Sequence, residues 1–118
     1  MKTNILACDF ARRADLELLH PDMAQHEMTI KGCYIGDLLS NVMGNARPGQ
    51  LWLTVMTNIN IVAVAQLLEL SGIVLLENNQ PAEGVLERAN LEEIPVFQTK
   101  EPAYAAAVRF YQAGLANS

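Results

Sequence analysis

The sequence predicts a three-layer α/β fold, in which helices cover both faces of a mostly parallel sheet within a single domain. Residues 51–70 (LWLTVMTNINIVAVAQLLEL) have the pattern of a buried strand, a short polar turn and a nearly all-apolar helix. Residues 73–76 (IVLL) form a continuous apolar run, which is typical of a strand covered on both faces. Over 51–113 the elements alternate as β-α-β-α-β-α, and connections this short join the strands only as parallel crossovers.

Length, composition and charge argue against several classes of protein. A chain of 118 residues, with 51% hydrophobic and 18% charged residues, is expected to form one globular domain with a single core. The net charge of −5 argues against nucleic-acid binding, which needs a basic face against phosphates. No apolar run approaches the roughly 18–20 residues of a membrane span, and the first residues lack the apolar region of a secretion signal.

The two cysteines, Cys8 and Cys33, indicate a cytoplasmic protein with reduced thiols. Cys33 is expected to pack as a small hydrophobic side chain. The alternative is a reactive thiol whose pKa is lowered by Lys31. A metal site formed by the cysteines with His20 and His26 is not expected, because their spacings are wide and irregular.

The first third of the chain predicts a helix over 3–13, a short strand over 15–19, a loop over 22–27 and a strand over 28–35. Thr3 is suited to cap the helix, because its hydroxyl can accept from a free amide of the first turn. His20 is expected to be a turn residue, because a residue before proline is held in extended geometry.

A short helix is predicted over 38–43. Asp37 stands at its N-cap, where a carboxylate accepts hydrogen bonds from the free amides of the first turn. Gly44 and Asn45 are expected to end this helix, and 47–49 to form a turn. Asp37 can also be interpreted as part of a polar cluster with Tyr34 and Ser40, although catalysis would require a second carboxylate or a base nearby.

The second half of the chain supplies the repeated strand–helix units. Strands are predicted over 51–55, 73–76 and 94–98, and helices over about 58–70, 81–90 and 102–113. Pro81 and Pro102 are placed at first helical positions, where a missing N–H costs nothing. Pro95 cannot donate to a ladder, so it is expected at the start of its strand or on a sheet edge.

Side-chain spacing predicts which residues share a face in each of the last two helices. Val85, Leu86 and Ala89, together with Ala82, are expected to form the core face of one helix. In the last helix, Tyr104, Ala107, Val108 and Tyr111 share a face, and Gly114 ends the helix.

The segment GCYIGDLLSNVM (32–43) resembles the DRTGG domain family. That family typically has Gly-Gly-Tyr-x-Ser-Asp-Leu-Leu-Ser followed by Val-Met, then a Trp-hydrophobic-Thr strand and a helix that begins Asn-hydrophobic-x-Ala. Here the strand contains Trp52 and Thr54, the helix start is 60–65, and the resemblance covers 29–113. The positions of the name-giving motif, 29–33 (TIKGC), match the family only at Gly32, and Gly36 replaces the serine before Asp37.

The resemblance implies a single α/β domain over 1–118 with its core at 28–113. It is similar to the N-terminal domain of HPr kinase/phosphatase and to a module of phosphotransacetylases and CBS-domain pyrophosphatases. In those proteins the domain is non-catalytic, regulatory or structural, and often lies at subunit contacts. Kinase chemistry is not implied, because the chain has no G-x-x-x-x-G-K-[ST] phosphate-binding loop.

The carboxyl ends of the predicted parallel strands form the main candidate site. In open α/β sheets small ligands bind there, near a change in strand order. The polar residues at these ends are Thr54, Thr57, Asn58, Asn78, Asn79, Thr99 and Lys100, with Asp37 as a further candidate. Free amides of the helix after Asn58 can hold an anion, to which Lys100 adds charge. The alternative is that Thr57, Asn58 and Asn79 only cap helices and shape turns.

The helix over 59–70 is apolar almost all round, with only Asn60, Gln66 and Glu69 polar. One face covers the sheet, and the other must be covered by the N-terminal segment or by a second subunit, which predicts a homodimer.

The preferred function is a non-enzymatic regulatory or interaction domain that binds a small anionic ligand, such as a nucleotide, and acts with a partner enzyme. No cofactor is predicted. The alternative is a small enzyme that acts on a phosphorylated or acyl metabolite at the strand ends. It would need a base among Asp37, His20 or Glu77, beside Thr57 or Lys100.

Overall fold

Two sheets and five helices make up residues 5–23 and 29–115, which are the residues that the computed structural model describes. The strands are β1 (Ile5–Leu6), β2 (Glu17–Leu18), β3 (Thr29–Ile30), β4 (Gly32–Ile35), β5 (Gln50–Thr54), β6 (Gly72–Leu75) and β7 (Val96–Gln98). The helices are α1 (Ala7–Arg13), α2 (Leu39–Asn45), α3 (Asn60–Leu67), α4 (Val85–Glu92) and α5 (Ala103–Gln112), with a short 3-10 turn at Pro21–Met23.

The main sheet has the strand order β2-β7-β6-β5-β4. Strands β4 to β7 run parallel to one another, and β2 pairs antiparallel with β7 at one edge. The pair β1 and β3 forms a separate two-stranded antiparallel sheet. The predicted parallel β-α-β-α-β-α arrangement is therefore confirmed, and β4 extends it by one more parallel strand.

Helices cover both faces of the main sheet. Helices α2, α3 and α4 pack on the face that carries Trp52, Ile73 and Leu75. Helices α1 and α5 pack on the other face, where the rings of Phe10 and Phe110 meet edge to face at 5.2 Å. Each fully buried side chain of this size stabilises the fold by about 1.5–3 kcal/mol, so the two apolar layers hold the sheet between them. The three-layer prediction is confirmed.

The N-terminal third differs from the prediction in two places. Ile5–Leu6 is a strand, and the helix begins only at Ala7; Thr3 lies outside the described residues. The strand expected over 28–35 is divided at Lys31, because 29–30 pairs with β1 whereas 32–35 pairs with β5. At the division the amide of Lys31 donates to the carbonyl of Gly49 at 2.8 Å.

Gly49 has a φ of +86°, and a Cβ there would lie 2.8 Å from Cδ of Lys31. The predicted turn at 47–49 therefore depends on glycine both for its backbone and for space.

The prediction that α4 begins at Pro81 is wrong, because the helix begins at Val85. The amide of Ala82 donates to the carbonyl of Thr57 at 2.9 Å, which keeps the chain after Pro81 in a turn. Gly84 then adopts a left-handed conformation with a φ of 87° directly before the helix. Pro102, by contrast, stands at the N-cap of α5, one residue before the predicted first helical position, and Pro95 directly precedes β7.

The face of α5 that carries Tyr104, Val108 and Tyr111 points outward, with Tyr104 82% exposed. The helix packs on the sheet through Ala106 and Phe110 instead. No helix in the described ranges has the length and apolar character needed to cross a membrane.

Candidate functional site

A cavity of about 360 Å³ opens at the carboxyl ends of β6 and β7. The chain leaving β6 continues to α4 on one face of the sheet, whereas the chain leaving β7 continues to α5 on the other. Adjacent connections that depart to opposite faces leave a crevice between them, and this is where small ligands bind in open α/β sheets. The cavity is lined by Asp15, Leu16, Glu17, Asn78, Gln98, Thr99 and Lys100.

The edge strand β2 supplies the acidic wall of the cavity. It runs antiparallel to β7 and places Glu17 opposite Gln98. Asp15 lies in the turn between α1 and β2 with a φ of 60°. Its left-handed backbone ends α1 in a Schellman motif, in which the amide of Leu16 donates to the carbonyl of Ala11 at 2.8 Å. Asp15 and Glu17 are both exposed and lie at the carboxyl end of β7.

A tight turn over 76–79 supplies the opposite wall. Glu77 and Asn78 both have positive φ, at 58° and 59°, and the amide of Asn79 donates to the carbonyl of Leu76 at 3.1 Å. These are the features of a type I′ turn. The amide of Asn78 also donates to the carbonyl of Thr99 at 2.8 Å, so the turn is attached to the loop after β7.

Gln98 forms the floor of the cavity and is 8% exposed. Its Nε2 donates to the carbonyl of Asn79 at 2.8 Å, which fixes the orientation of the amide, because its oxygen could not make that bond. Within residues 5–23 and 29–115, no donor is recorded at Gln98 Oε1. A buried acceptor without a partner is costly, so a donor from a ligand or water would stabilise it.

The cavity carries charges of both signs. Asp15, Glu17 and Lys100 line it, and none of them forms an ion pair within 4.0 Å in the described part of the chain. Beside the cavity, Arg109 pairs with Glu101 through two hydrogen bonds, from Nε at 2.8 Å and from Nη2 at 2.6 Å.

The Glu101–Arg109 pair shifts the pKa of both its members. The hydrogen bonds from Arg109 lower the pKa of the Glu101 carboxyl. The bonds to Glu101 raise the pKa of the Arg109 guanidinium, with a smaller contribution from the charge of Asp15. The guanidinium of Arg109 is therefore already paired with the carboxylate of Glu101.

The structure brings together three of the eight predicted site residues. Asn78, Thr99 and Lys100 line the cavity, whereas Asp37, Thr54, Thr57, Asn58 and Asn79 do not. Asn79 lies nearby, where its Nδ2 donates to the carbonyl of Leu76 at 2.7 Å and its carbonyl accepts from Gln98. It shapes the turn, which is the alternative role that its position suggested.

Asp37 is not the N-cap of α2, because the cap position is Leu38 and carries no side-chain capping bond. Asp37 Oδ1 instead accepts from Thr54 Oγ1 at 2.7 Å and from the amide of Val55 at 2.9 Å. Tyr34 donates to the carbonyl of Asn41 at 3.5 Å, and no hydrogen bond in the described residues joins Tyr34, Asp37 and Ser40 as the suggested cluster.

An anion was expected to bind the backbone amides that follow β5, but two of these amides already donate to side-chain oxygens of the protein. The amide of Met56 donates to Thr54 Oγ1 at 3.1 Å, and the amide of Asn60 donates to Asn58 Oδ1 at 2.9 Å. The side chain of Asn58, one residue before the cap position Ile59, thus shapes the turn into α3, which agrees with the alternative interpretation. Because these donors are already satisfied within the chain, the opening at the end of β6 and β7 has the better chemistry for a ligand.

His20 is a buried structural residue rather than a simple turn residue. Its Nε2 accepts from the amide of Val96 at 2.8 Å, so the ring proton lies on Nδ1, which is 2.7 Å from Asn90 Oδ1. No cluster of three metal-ligating side chains occurs in the described ranges, and His26 lies outside them.

Cys33 packs against the apolar layer formed with α1 and α5. Burial raises the pKa of its thiol, which favours the packed hydrophobic side chain over the reactive thiol.

Sequence reasoning missed the acidic wall and the floor of the cavity. Asp15, Leu16, Glu17 and Gln98 come together only through the antiparallel pairing of β2 with β7. A strand over 15–19 was predicted, but nothing local in those residues indicates which edge of the sheet it joins.

The comparisons with known proteins include a solved structure that shares the fold of this chain. The chain matches no protein-family model and no curated protein. Its structure is similar to the crystal structure of the CBS and DRTGG domains of the regulatory region of a Clostridium perfringens pyrophosphatase, complexed with the activator diadenosine tetraphosphate. The TM-score is 0.72 and the sequence identity 14%, over 92% of this chain and 46% of that chain.

The chain thus spans about half the length of the regulatory region that it matches. At this identity the likeness shows the fold, and the neighbour contains the kind of domain that the segment at 32–43 resembles. The three-layer α/β fold predicted from the sequence is therefore shared with part of a region that contains CBS and DRTGG domains.

Proposed function

We propose that this chain is a non-enzymatic regulatory domain that binds a small polar ligand with an anionic group, of the nucleotide kind, in the cavity at the ends of β6 and β7. The observation that carries the proposal is the cavity itself. Lys100 and the buried Gln98 line one space of about 360 Å³, which lies within the range of about 300–1,000 Å³ of small-molecule sites.

The structural neighbour supports a regulatory role. That protein's region is described as regulatory and as complexed with an activator, diadenosine tetraphosphate. The shared fold makes a binding function the natural starting point, although a fold by itself does not assign a ligand. In this proposal the ligand alters how the domain acts on a partner enzyme.

Two of the groups considered as catalytic bases have structural partners, which favours binding over catalysis. Asp37 Oδ1 is held by Thr54 and Val55, and both ring nitrogens of His20 are held by Asn90 and Val96. A general base must reach the proton that it removes, and neither group lines the cavity.

Homodimerisation is the second part of the proposal. On the outer face of α3 and its N-terminal turn, Ile59, Ala63 and Leu67 form one exposed apolar row, with Ile59 44% and Leu67 63% exposed. The spacing of four residues places them on one side of the helix. Because the row carries no charge, a second copy of the same face is its best-matched cover.

Ligand binding is tested by a thermal-shift screen of the whole chain against nucleotides and phosphorylated metabolites, with product formation followed in parallel. We expect a rise in melting temperature without turnover. Lys100→Gln should abolish the rise, whereas the control Lys31→Gln, at an exposed position away from the cavity, should retain it. Turnover that Lys100→Gln removes would identify the small enzyme instead.

The dimer is tested by light scattering of the purified chain at micromolar concentration. We expect a molar mass twice that of one chain. The variant Leu67→Glu should have the molar mass of a single chain. The control Leu91→Glu introduces the same charge at the most exposed leucine of α4, away from the α3 row, and should leave the mass unchanged. A single-chain mass for the unmodified protein would exclude the dimer.

A further inference from the structure

We infer that the cavity at the ends of β6 and β7 selects a ligand with one phosphate and a hydroxyl-rich sugar, of the ribose 5-phosphate kind, and rejects polyphosphates. The inference rests on the proposed binding function and adds the class of ligand. It depends on the balance of charge around the cavity, on the amide oxygen of Gln98, which has no donor among the described residues, and on the absence of aromatic side chains among the lining residues.

The acidic wall and the floor present acceptors. Asp15 and Glu17 line the cavity with carboxylates. Gln98 also lines it, and its Nε2 is bound to the carbonyl of Asn79, so its amide oxygen is an acceptor for which the described residues supply no donor. Such a set needs donors from the ligand. Adjacent sugar hydroxyls supply them, as when an acidic side chain binds the ribose hydroxyl in dinucleotide-binding folds.

Lys100 is the single cationic side chain among the lining residues. The nearby guanidinium of Arg109 is committed to Glu101 through two hydrogen bonds, and it also lies close enough to Asp15 for their charges to interact. One phosphate can therefore be paired with Lys100. A second or third phosphate would lie near Asp15 and Glu17 with no further cationic side chain among the lining residues, and like charges repel at close range.

The lining residues also argue against a dominant contribution from a nucleobase. Bases bind through stacking on aromatic side chains or through apolar contact, and Leu16 is the single large apolar residue on the wall. The sugar–phosphate unit carries the recognition in this proposal, whether it is free or belongs to a mononucleotide.

Calorimetric titration of the whole chain with ribose 5-phosphate, ribose, inorganic phosphate, AMP and ATP tests the inference. We expect ribose 5-phosphate to bind at least tenfold more tightly than ribose or phosphate alone, and ATP to bind at least tenfold more weakly than AMP. Similar affinities for AMP and ribose 5-phosphate would assign recognition to the shared sugar–phosphate unit. A much tighter AMP complex would assign it to the base and overturn the inference.

Two conservative variants test the role of charge. Glu17→Gln and Asp15→Asn keep the size of each side chain, and asparagine tolerates the left-handed backbone at position 15. Each variant should reduce the difference in affinity between AMP and ATP severalfold. The control Glu83→Gln, outside this cavity, should leave this difference unchanged.

The outcomes separate the inference from the proposed function. If polyphosphates bind more tightly than the monophosphate, and Lys100→Gln abolishes that binding, the proposed function stands and the inferred preference for a single phosphate is wrong. If none of the five probes binds and the broad thermal-shift screen also gives no ligand, the proposed function fails and the inference fails with it. If the screen finds only ligands without a sugar phosphate, the inference alone is overturned.

Discussion

The carboxylate of Asp37 accepts a hydrogen bond from the hydroxyl of Thr54 at 2.7 Å. The same Oδ1 accepts from the amide of Val55 at 2.9 Å, so one exposed side chain joins the loop after β4 to the end of β5. Thr54 is fully buried and in turn accepts from the amide of Met56. Two residues that the sequence suggested as ligand contacts therefore contact each other.

Asp37→Ala should lower the free energy of unfolding by about 1–3 kcal/mol, because it leaves the Thr54 hydroxyl and the Val55 amide without their acceptor. Urea unfolding followed by circular dichroism measures the loss. Ser40→Ala, at an exposed position of α2, should change stability by no more than about 0.5 kcal/mol.

A double-mutant cycle with Thr54→Val separates this role from helix capping. If the hydrogen bond carries the effect, the double variant should lose less stability than the two single losses combined. Strictly additive losses would mean that Asp37 stabilises the protein without its bond to Thr54.

The ring of His20 accepts a hydrogen bond from the backbone of β7 in place of a backbone carbonyl from a neighbouring strand. The amide of Leu19 donates to the carbonyl of Val96 at 2.9 Å, and His20 Nε2 then accepts the Val96 amide at 2.8 Å. His20→Ala should lower the free energy of unfolding by about 2–4 kcal/mol, because it removes a buried side chain and leaves a buried amide unpaired.

Hydrogen exchange of the Val96 amide, measured by NMR, distinguishes this contact from general packing. The amide should exchange faster in His20→Ala. In the control Asn90→Ala, which removes the partner of Nδ1 but keeps Nε2, it should remain protected. Equal protection in both variants would contradict the role assigned to His20.

The parallel core was predictable because its signal is local. Apolar runs at 51–55 and 73–76 separated by a helical pattern allow few arrangements, and β5 and β6 lie as neighbours in the sheet. The cavity was only half predictable. Asn78, Thr99 and Lys100 follow strands directly, whereas Glu17 reaches the same space through a pairing with a strand far along the chain.

The capping predictions failed where a polar side chain has a distant partner. Asp37 has the sequence context of an N-cap, yet the Thr54 hydroxyl and the Val55 amide hold its carboxylate. The side chain of Asn58, by contrast, bonds locally, since its Oδ1 accepts from the amide of Asn60 at the start of α3. A local pattern thus identifies a hydrogen-bonding side chain, while the sheet decides which group it bonds.

Glu93→Gly should raise the free energy of unfolding by about 0.5–1 kcal/mol, because Glu93 ends α4 in the left-handed region, which is unfavourable for a residue with a Cβ. Glycine adopts this conformation freely, and the change also removes a carboxylate from the negative end of the helix dipole. Urea unfolding measures the gain. Glu87→Gly, within α4, should instead lower stability by about 1 kcal/mol, and a fall in both variants would contradict the argument.

The bidentate Glu101–Arg109 pair predicts a pH dependence of stability. Hydrogen bonds from Arg109 lower the pKa of Glu101 in the folded protein, so the pair stabilises the fold above the ordinary glutamate range, and the effect is lost as the pH falls through the lowered pKa. Arg109→Gln should therefore be less stable than the unmodified protein at pH 7, and the difference should shrink as the pH falls below about 4.5.

Urea unfolding at several pH values between 7 and 3 measures this difference, and carboxyl NMR titration of Glu101 measures the shift directly. In Arg109→Gln the Glu101 pKa should rise towards its ordinary value. The control Arg88→Gln removes an exposed guanidinium that makes one longer hydrogen bond to Glu92, at 3.2 Å, and should show a smaller pH-dependent difference. A stability difference that stays constant down to pH 3 would mean that Arg109 contributes through packing rather than through its charge.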